Sequence, residues 1–295
     1  MSVSRPVRFT PTVLEKVWGG RKLATRLGRE IPPGPIGESW DVSARPEAPS
    51  RSAGGATPDE ILGVPFPLLV KVLDAAETLS VQVHPGERSS AETPGAEPKH
   101  EAWVVLDADP GALIYRGFRD GVDRAAFERA VAERRIAATL HAFEPRPGDV
   151  IEIPCGTIHA IGGGCLLLEV QQPSDTTYRV FDWGRAGLDG EPRELHLEAS
   201  LRALDFGPRT PDRVEGVDAP AFRLSLVEVA EGGVYVLDPS RVTVVSNVSP
   251  GAVSVDGDDA PLRFGDSVVY FPGCEAVCVD RGAGRLAFTS AEVRT

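Results

Sequence analysis

The sequence predicts a mainly β protein made of two tandem β units with one small helical segment. Three observations carry this expectation. Glycine (31) and proline (26) are abundant and aperiodic in a chain of 295 residues, which is turn chemistry between short strands. Short β-prone runs flank one stretch, 205–221, that is rich in proline, glycine and charge. Two distant segments also echo each other, Arg146-Pro-Gly-Asp-Val-Ile-Glu-Ile-Pro154 and Arg263-Phe-Gly-Asp-Ser-Val-Val-Tyr-Phe-Pro272. Each reads as a Gly-Asp turn, a short strand and a terminating proline. The chain therefore divides into 1–204, a linker at 205–221, and a smaller unit at 222–295.

Composition narrows the function. Apolar residues are 42% and charged residues 25%, as in ordinary globular chains. A net charge of −12 argues against nucleic acid or an anionic membrane as partner. A small anionic substrate stays compatible, because a few local cations suffice for a phosphate. Residues 1–20 hold no signal-type apolar core, and no run approaches the roughly 18 apolar residues of a membrane span. The expectation is a cytoplasmic protein. Cys155, Cys165, Cys274 and Cys278 form no CxxC pair and read as small, reduced, mostly buried residues. All 5 histidines precede the linker, so metal chemistry belongs to the first unit and the second should be metal-free.

Taken in order, Leu79-Ser-Val-Gln-Val-His84 alternates, with Leu79, Val81 and Val83 on one face and Ser80, Gln82 and His84 on the other. A hydroxyl, an amide and an imidazole suit a polar pocket; a half-exposed strand is the plainer alternative. Glu101–Leu106 is a second strand, with Glu101 on the face of Trp103 and Val105. Taken by itself, Glu101 would be a surface residue. His100 should point the opposite way and stand by. A helix is predicted over 123–141, with Phe127, Ala130, Val131 and Ala138 as its apolar stripe. A second helix is expected near 194–204.

Gly148 to His159 fits G-x5-P-x-G-x2-H, the second motif of cupin β-barrels. Gly148 permits a tight turn, Pro154 ends the strand, and Gly156 lets the chain bend so that His159 enters the barrel. A metal-free core histidine is the bland alternative. Together Gln82, His84, Glu101 and His159 offer two imidazole nitrogens and two oxygens, a set suited to Zn²⁺ or another divalent first-row ion. Leu166–Gln172 puts Leu167, Glu169 and Gln171 on one face of an apolar strand. A carboxylate there is costly unless paired or functional, which makes Glu169 a candidate for proton transfer. Arg179 and Arg185 follow; for Arg179 the ordinary alternative is a surface salt bridge.

Arranged in order, Lys16-Val-Trp-Gly-Gly20, Gly37-Glu-Ser-Trp40, Leu79–Pro85, Lys99-His-Glu101, the 148–159 motif and Glu169 through Arg179 resemble type I mannose-6-phosphate isomerase in its short bacterial form. The resemblance covers about residues 7–204. It implies two tandem cupin-type jelly-roll β-barrels and a zinc-dependent aldose–ketose isomerase interconverting mannose 6-phosphate and fructose 6-phosphate. It places the family's metal ligands on Gln82, His84, Glu101 and His159, with one zinc ion. Its active-site arginine falls on Arg179 and its proton-transferring glutamate on Glu169. Its phosphate contacts fall on Ser80, Arg179 and Arg185, the last a lysine in many longer relatives, and Lys99 holds a family position near the site. The long helical insertion of larger relatives is missing. Competing readings are an isomerase of another sugar or sugar phosphate, a non-catalytic sugar-binding cupin, and an iron oxygenase. The last uses two histidines and one carboxylate with three open positions, so Gln82 as a fourth ligand argues against it.

Overall fold

Strand alternation builds two stacked sandwiches. The computed structural model describes residues 5–208, 210–258 and 260–293. In the first sandwich, one antiparallel sheet has the order Val150–Ile153, Glu101–Ala108, Cys165–Gln171, Leu69–Ala75, Thr12–Gly20, Ile36–Val42. The sheet facing it has the order Tyr178–Phe181, Val81–Val83, His159–Ile161, Ile114–Phe118, Leu140–Phe143. In the second sandwich the larger sheet runs Gly216–Asp218, Arg223–Val229, Gly284–Glu292, Arg241–Asn247, Ser267–Tyr270. Its smaller sheet runs Val234–Val236, Ala276–Arg281, Ala252–Val255, Leu262–Arg263. The two sandwiches repeat one strand order, as the echoed segments suggest.

Those segments take the same geometry. Asp149 N–H donates to Arg146 O at 2.9 Å, and Arg146 N–H donates to the Asp149 carboxylate at 2.8 Å. Asp266 and Arg263 repeat both bonds at 2.9 and 3.0 Å. The third residue, Gly148 or Gly265, has φ of +88° or +83°, which an L side chain resists. Each turn feeds an edge strand of its larger sheet.

Parity decides what each face meets. Outward Val70, Val72, Ala102, Val104, Leu166, Leu168 and Val170 join one core with Leu224, Val242, Val244, Val269, Ala287 and Ala291 of the second sandwich. The two larger sheets thus pack back to back. Two further links cross the seam: Val7 pairs antiparallel with Val269, and Arg29 bridges Asp41 and Gly265 O, each at 2.6 Å. The outer face of the smaller sheet of the first sandwich is covered by helical segments through Phe127, Ile136 and their neighbours.

Three expectations need correction. The helix over 123–141 is shorter, Arg124–Ala132, followed by a 3-10 turn at Ile136–Thr139. Asp123 caps its start by accepting from Ala126 N–H at 2.7 Å. Arg134 adopts φ +56°, which ends the helix without a glycine. The second helix is Leu197–Ala203. The 205–221 segment is no free linker: Gly216–Asp218 pairs with Arg223–Val229, Val214 bridges Val150, and Asp212 pairs with His141 at 3.0 Å. Leu79 also leaves its predicted face. It packs in the inner core, because the strand begins only at Val81. Among the described residues no helix is long and apolar enough to cross a membrane.

Candidate active site

The site lies between the sheets of the first sandwich, on inward positions. On Cys165–Gln171 the outward leucines and valine go to the shared core, leaving Glu169 and Gln171 inside. Glu169 faces Trp103 on one side and Lys71 on the other, and Gln171 faces Glu101. His159 faces Gln82 across the smaller sheet. Gly156 makes the bend before it. Its φ is +84°, and a Cβ there would lie 2.9 Å from Ala203 O, so only glycine fits without displacing backbone.

His84, Glu101 and His159 bring one ligand atom each within 4.8 Å of one another, and all three are buried. His84 Nε2 lies 3.3 Å from Glu101 Oε2, and His159 Nε2 lies 3.4 Å from Glu101 Oε1. Each imidazole is anchored at Nδ1 by a backbone carbonyl, Thr176 O for His84 and Thr157 O for His159, both at 2.9 Å. With Nδ1 as donor, each Nε2 presents its lone pair to the cluster. Burial pushes His159 down to about 3 and lowers His84 as well, so both rings are neutral. Burial works to raise Glu101, but the carboxylate is held well below its usual range, first of all by the Lys99 ammonium at 3.0 Å. His84 Nε2 and Glu101 Oε1 are buried without a hydrogen-bond partner among the described residues, and Glu101 Oε2 has the Lys99 ammonium on one side alone. Orphaned lone pairs are costly, and a divalent cation satisfies all of them. The donor set of two imidazoles and a carboxylate fits such an ion. The Gln82 amide adjoins it, 3.2 Å from His159 Nε2.

Beside the cluster lies a cleft of about 220 Å³ whose lining includes Lys16, Glu38, Lys71, Ser80, Gln82, Lys99, Glu169, Asp175, Arg179 and Arg193. Glu169 accepts from Trp103 Nε1–H at 3.0 Å and lies 3.6 Å from Lys71 Nζ. Burial and the charge of Glu101 raise its pKa against the pull of Lys99 and Lys71. Lys71 rests over the Trp40 ring, 4.6 Å from its centroid. Trp40 Nε1–H donates to Glu38 at 2.7 Å, and Lys16 pairs with the same carboxylate at 3.3 Å. The sequence reading missed Lys71, Glu38, Lys16 and Arg193 as site residues. The signal for Lys71 was present: a lysine at an inward position of Leu69-Val-Lys-Val-Leu73.

The structure brings Ser80, Gln82, Lys99, Glu169 and Arg179 together on the cleft; His84, Glu101 and His159 are buried behind its lining, reached through Gln82, 3.2 Å from His159, and Lys99, 3.0 Å from Glu101. Arg185 is not among the lining residues; its guanidinium bonds Asp182 at 2.9 Å. His100 turns away, as expected, to Glu152 at 3.0 Å and the edge of Phe222. The four cysteines form no disulfide with one another.

Comparison with known proteins agrees with this geometry. Residues 7–103 match the model of the phosphomannose isomerase type I catalytic domain. The mannose-6-phosphate isomerase of Streptococcus mutans is 33% identical, over 90% of this chain and 92% of its own. The Bacillus subtilis mannose-6-phosphate isomerase ManA is 34% identical over 71% of each chain. A crystal structure of the mannose 6-phosphate isomerase from Bacillus subtilis superimposes with a TM-score of 0.85 at 28% identity, covering 97% of this chain and 99% of that one. The inward-facing site and the near full-length relatives lead to one conclusion: this chain belongs to the type I phosphomannose isomerase family, with its mainly β, cupin-type fold.

Proposed function

We propose that the protein interconverts mannose 6-phosphate and fructose 6-phosphate. The observation that carries this reading is a buried carboxylate of raised pKa, Glu169, sharing one small cleft with two arginines and with Gln82 and Lys99, which border the two-histidine, one-carboxylate cluster. Residues 1–204 form the catalytic part in this reading, and 222–295 a metal-free companion.

His84, Glu101, His159 and the Gln82 amide would hold one zinc ion. When bound, the ion supplies Lewis acidity that polarises the sugar's carbonyl and hydroxyl oxygens. Glu169 moves the proton between C2 and C1, and burial with the nearby Glu101 charge raises its pKa, which favours proton uptake. Trp103 fixes the carboxylate and Lys71 balances its charge. Arg179 stabilises the negative charge that develops on the enediolate oxygens. Lys99 holds Glu101 ionised as a ligand. Ser80 and the arginine end of the cleft orient the phosphate, whose binding energy positions the reacting carbons.

The test is turnover of mannose 6-phosphate by the purified protein as isolated, after chelation, and after zinc is restored. Activity lost and then recovered supports the reading. Folded, zinc-loaded protein without turnover rejects it and leaves a sugar-binding cupin.

A further inference from the structure

We propose that Arg193 grips the substrate phosphate and sets the preference for phosphorylated over free sugar. In this assignment, which rests on the sugar-phosphate reading above, Asp182 aims Arg193, and Arg185 only braces Asp182 from outside the cleft.

Charge balance locates the subsite. At the metal end, Lys16, Lys71 and Lys99 are matched by Glu38, Glu169 and Glu101 at 3.0 to 3.6 Å. At the other end, two guanidiniums, those of Arg185 and Arg193, gather around one buried carboxylate. Arg193 bonds Asp182 through Nε at 2.7 Å and Nη2 at 2.5 Å, and Arg185 bonds the same group at 2.9 and 3.1 Å. The Asp182 side chain is 6% exposed, whereas Glu77, the other carboxylate near Arg185, is 68% exposed. One buried negative charge does not balance two positive ones, so this end carries surplus positive charge for an anion.

Geometry then separates the three arginines. Arg179 and Arg193 line the cleft and Arg185 does not. Arg179 donates from Nη1 to Glu194 O at 2.8 Å, and its Nε is buried without a partner among the described residues. Asp182 holds Arg193 by the Nε–Nη2 edge, which leaves Nη1 for an anion. Such a clamp also limits rotamer freedom, so less entropy is lost when phosphate arrives. The route of the chain explains the exchange of roles. A tight hairpin closes at Ala186 and Pro192, with Gly187 N–H bonded to Glu191 O. It reverses the chain and returns Arg193 to Asp182, eleven residues on.

The experiment compares wild type, Arg193→Ala, Arg193→Lys and Arg185→Ala, all zinc-loaded and checked for metal content. Losing a desolvated charge partner costs at least about ten-fold in affinity. Arg193→Ala should therefore raise KM for mannose 6-phosphate by about ten-fold or more, with a smaller change in kcat. Arg193→Lys should fall between, since it keeps charge without the fork. Arg185→Ala should have less effect than either. Calorimetry with fructose 6-phosphate and with free fructose reads the same subsite without turnover. Wild type should prefer the phosphorylated sugar, and Arg193→Ala should narrow that preference about ten-fold. Should wild type bind phosphate-bearing sugar but not isomerise it, the isomerase reading fails while Arg193 is still judged by calorimetry. An unchanged preference in both Arg193 variants, or a larger loss in Arg185→Ala, overturns the assignment even if the well-folded enzyme turns over normally.

Discussion

The two sandwiches share a strand order and a turn, yet their inner faces diverge residue by residue. Glu101 faces Gln171 in the first; the matching pair in the second is Thr243 and Ser290. Glu169 lies between Trp103 and Lys71; its counterpart Phe288 lies between Val245 and Ser225. His159 begins a strand opposite Gln82, where Ala276 begins one opposite Val236. The second sandwich keeps a cleft of about 810 Å³ at this place, lined in part by Ser225, Thr243, Phe288 and Ser290. It has room, but no imidazole or carboxylate stands at the matched positions. The jelly-roll frame thus supplies convergent inward positions and nothing more; chemistry depends on who occupies them. Deeper in the second interior, Val253, Val255, Val277, Val279 and Leu286 fill the space, and its outward face serves the shared core.

The comparison breaks if the first interior tolerates what the second already contains. Glu169→Gln should lower kcat by about 10³-fold, the range of a lost general acid–base group, with metal content unchanged. Near-normal turnover would remove Glu169 from proton transfer. Next in size is a change at the seam. Phe222 is fully buried there and touches His100 edge-on. Phe222→Ala should cost about 3 kcal/mol in denaturant unfolding while zinc stays bound; zinc loss would show that the second sandwich shapes the site directly. His159→Ala copies the second sandwich outright. It should weaken zinc binding by at least about 100-fold, and undiminished zinc by elemental analysis would strike His159 from the ligands. The smallest effect lies in the second interior. Tyr270 donates to Asp256 at 2.5 Å, so Tyr270→Phe should lose about 1 kcal/mol of stability and leave KM and kcat alone. A change in either constant would give the second sandwich a role in turnover.

Much of this was legible because parity is a local property. The faces of Glu101–Val105 and Leu167–Gln171 follow from alternation, and the 148–159 motif fixes a turn, a strand end and a bend in order. Lys99, two positions before Glu101, also sat in a recognisable run. Legibility failed where the fold outweighed spacing. Lys16 and Glu38 meet only because two strands from the N-terminal end join the larger sheet. Arg185 lies six positions after Arg179, yet a hairpin sends the chain back, and Arg193 reaches the cleft instead. The long helix stops early because Arg134 takes a left-handed backbone, a choice that an arginine does not advertise. The 205–221 stretch is loose by composition, but Asp212 and Arg213 pair with His141 and Asp149 of the first sandwich, and Gly216–Asp218 joins the second.

One feature of the histidines reaches beyond catalysis. Both rings are oriented by main-chain oxygens, those of Thr157 and Thr176. A carbonyl persists through almost any substitution of the residue that bears it. The aim of the ligands is therefore written in the path of the backbone rather than in the identity of neighbouring side chains. Relatives can drift in sequence around the centre and keep the same imidazole tautomers, and an alanine scan at 157 and 176 would pass over the groups that set them. What such a site is vulnerable to is a shift of the loop itself, by insertion, deletion or loss of the glycine bend at 156.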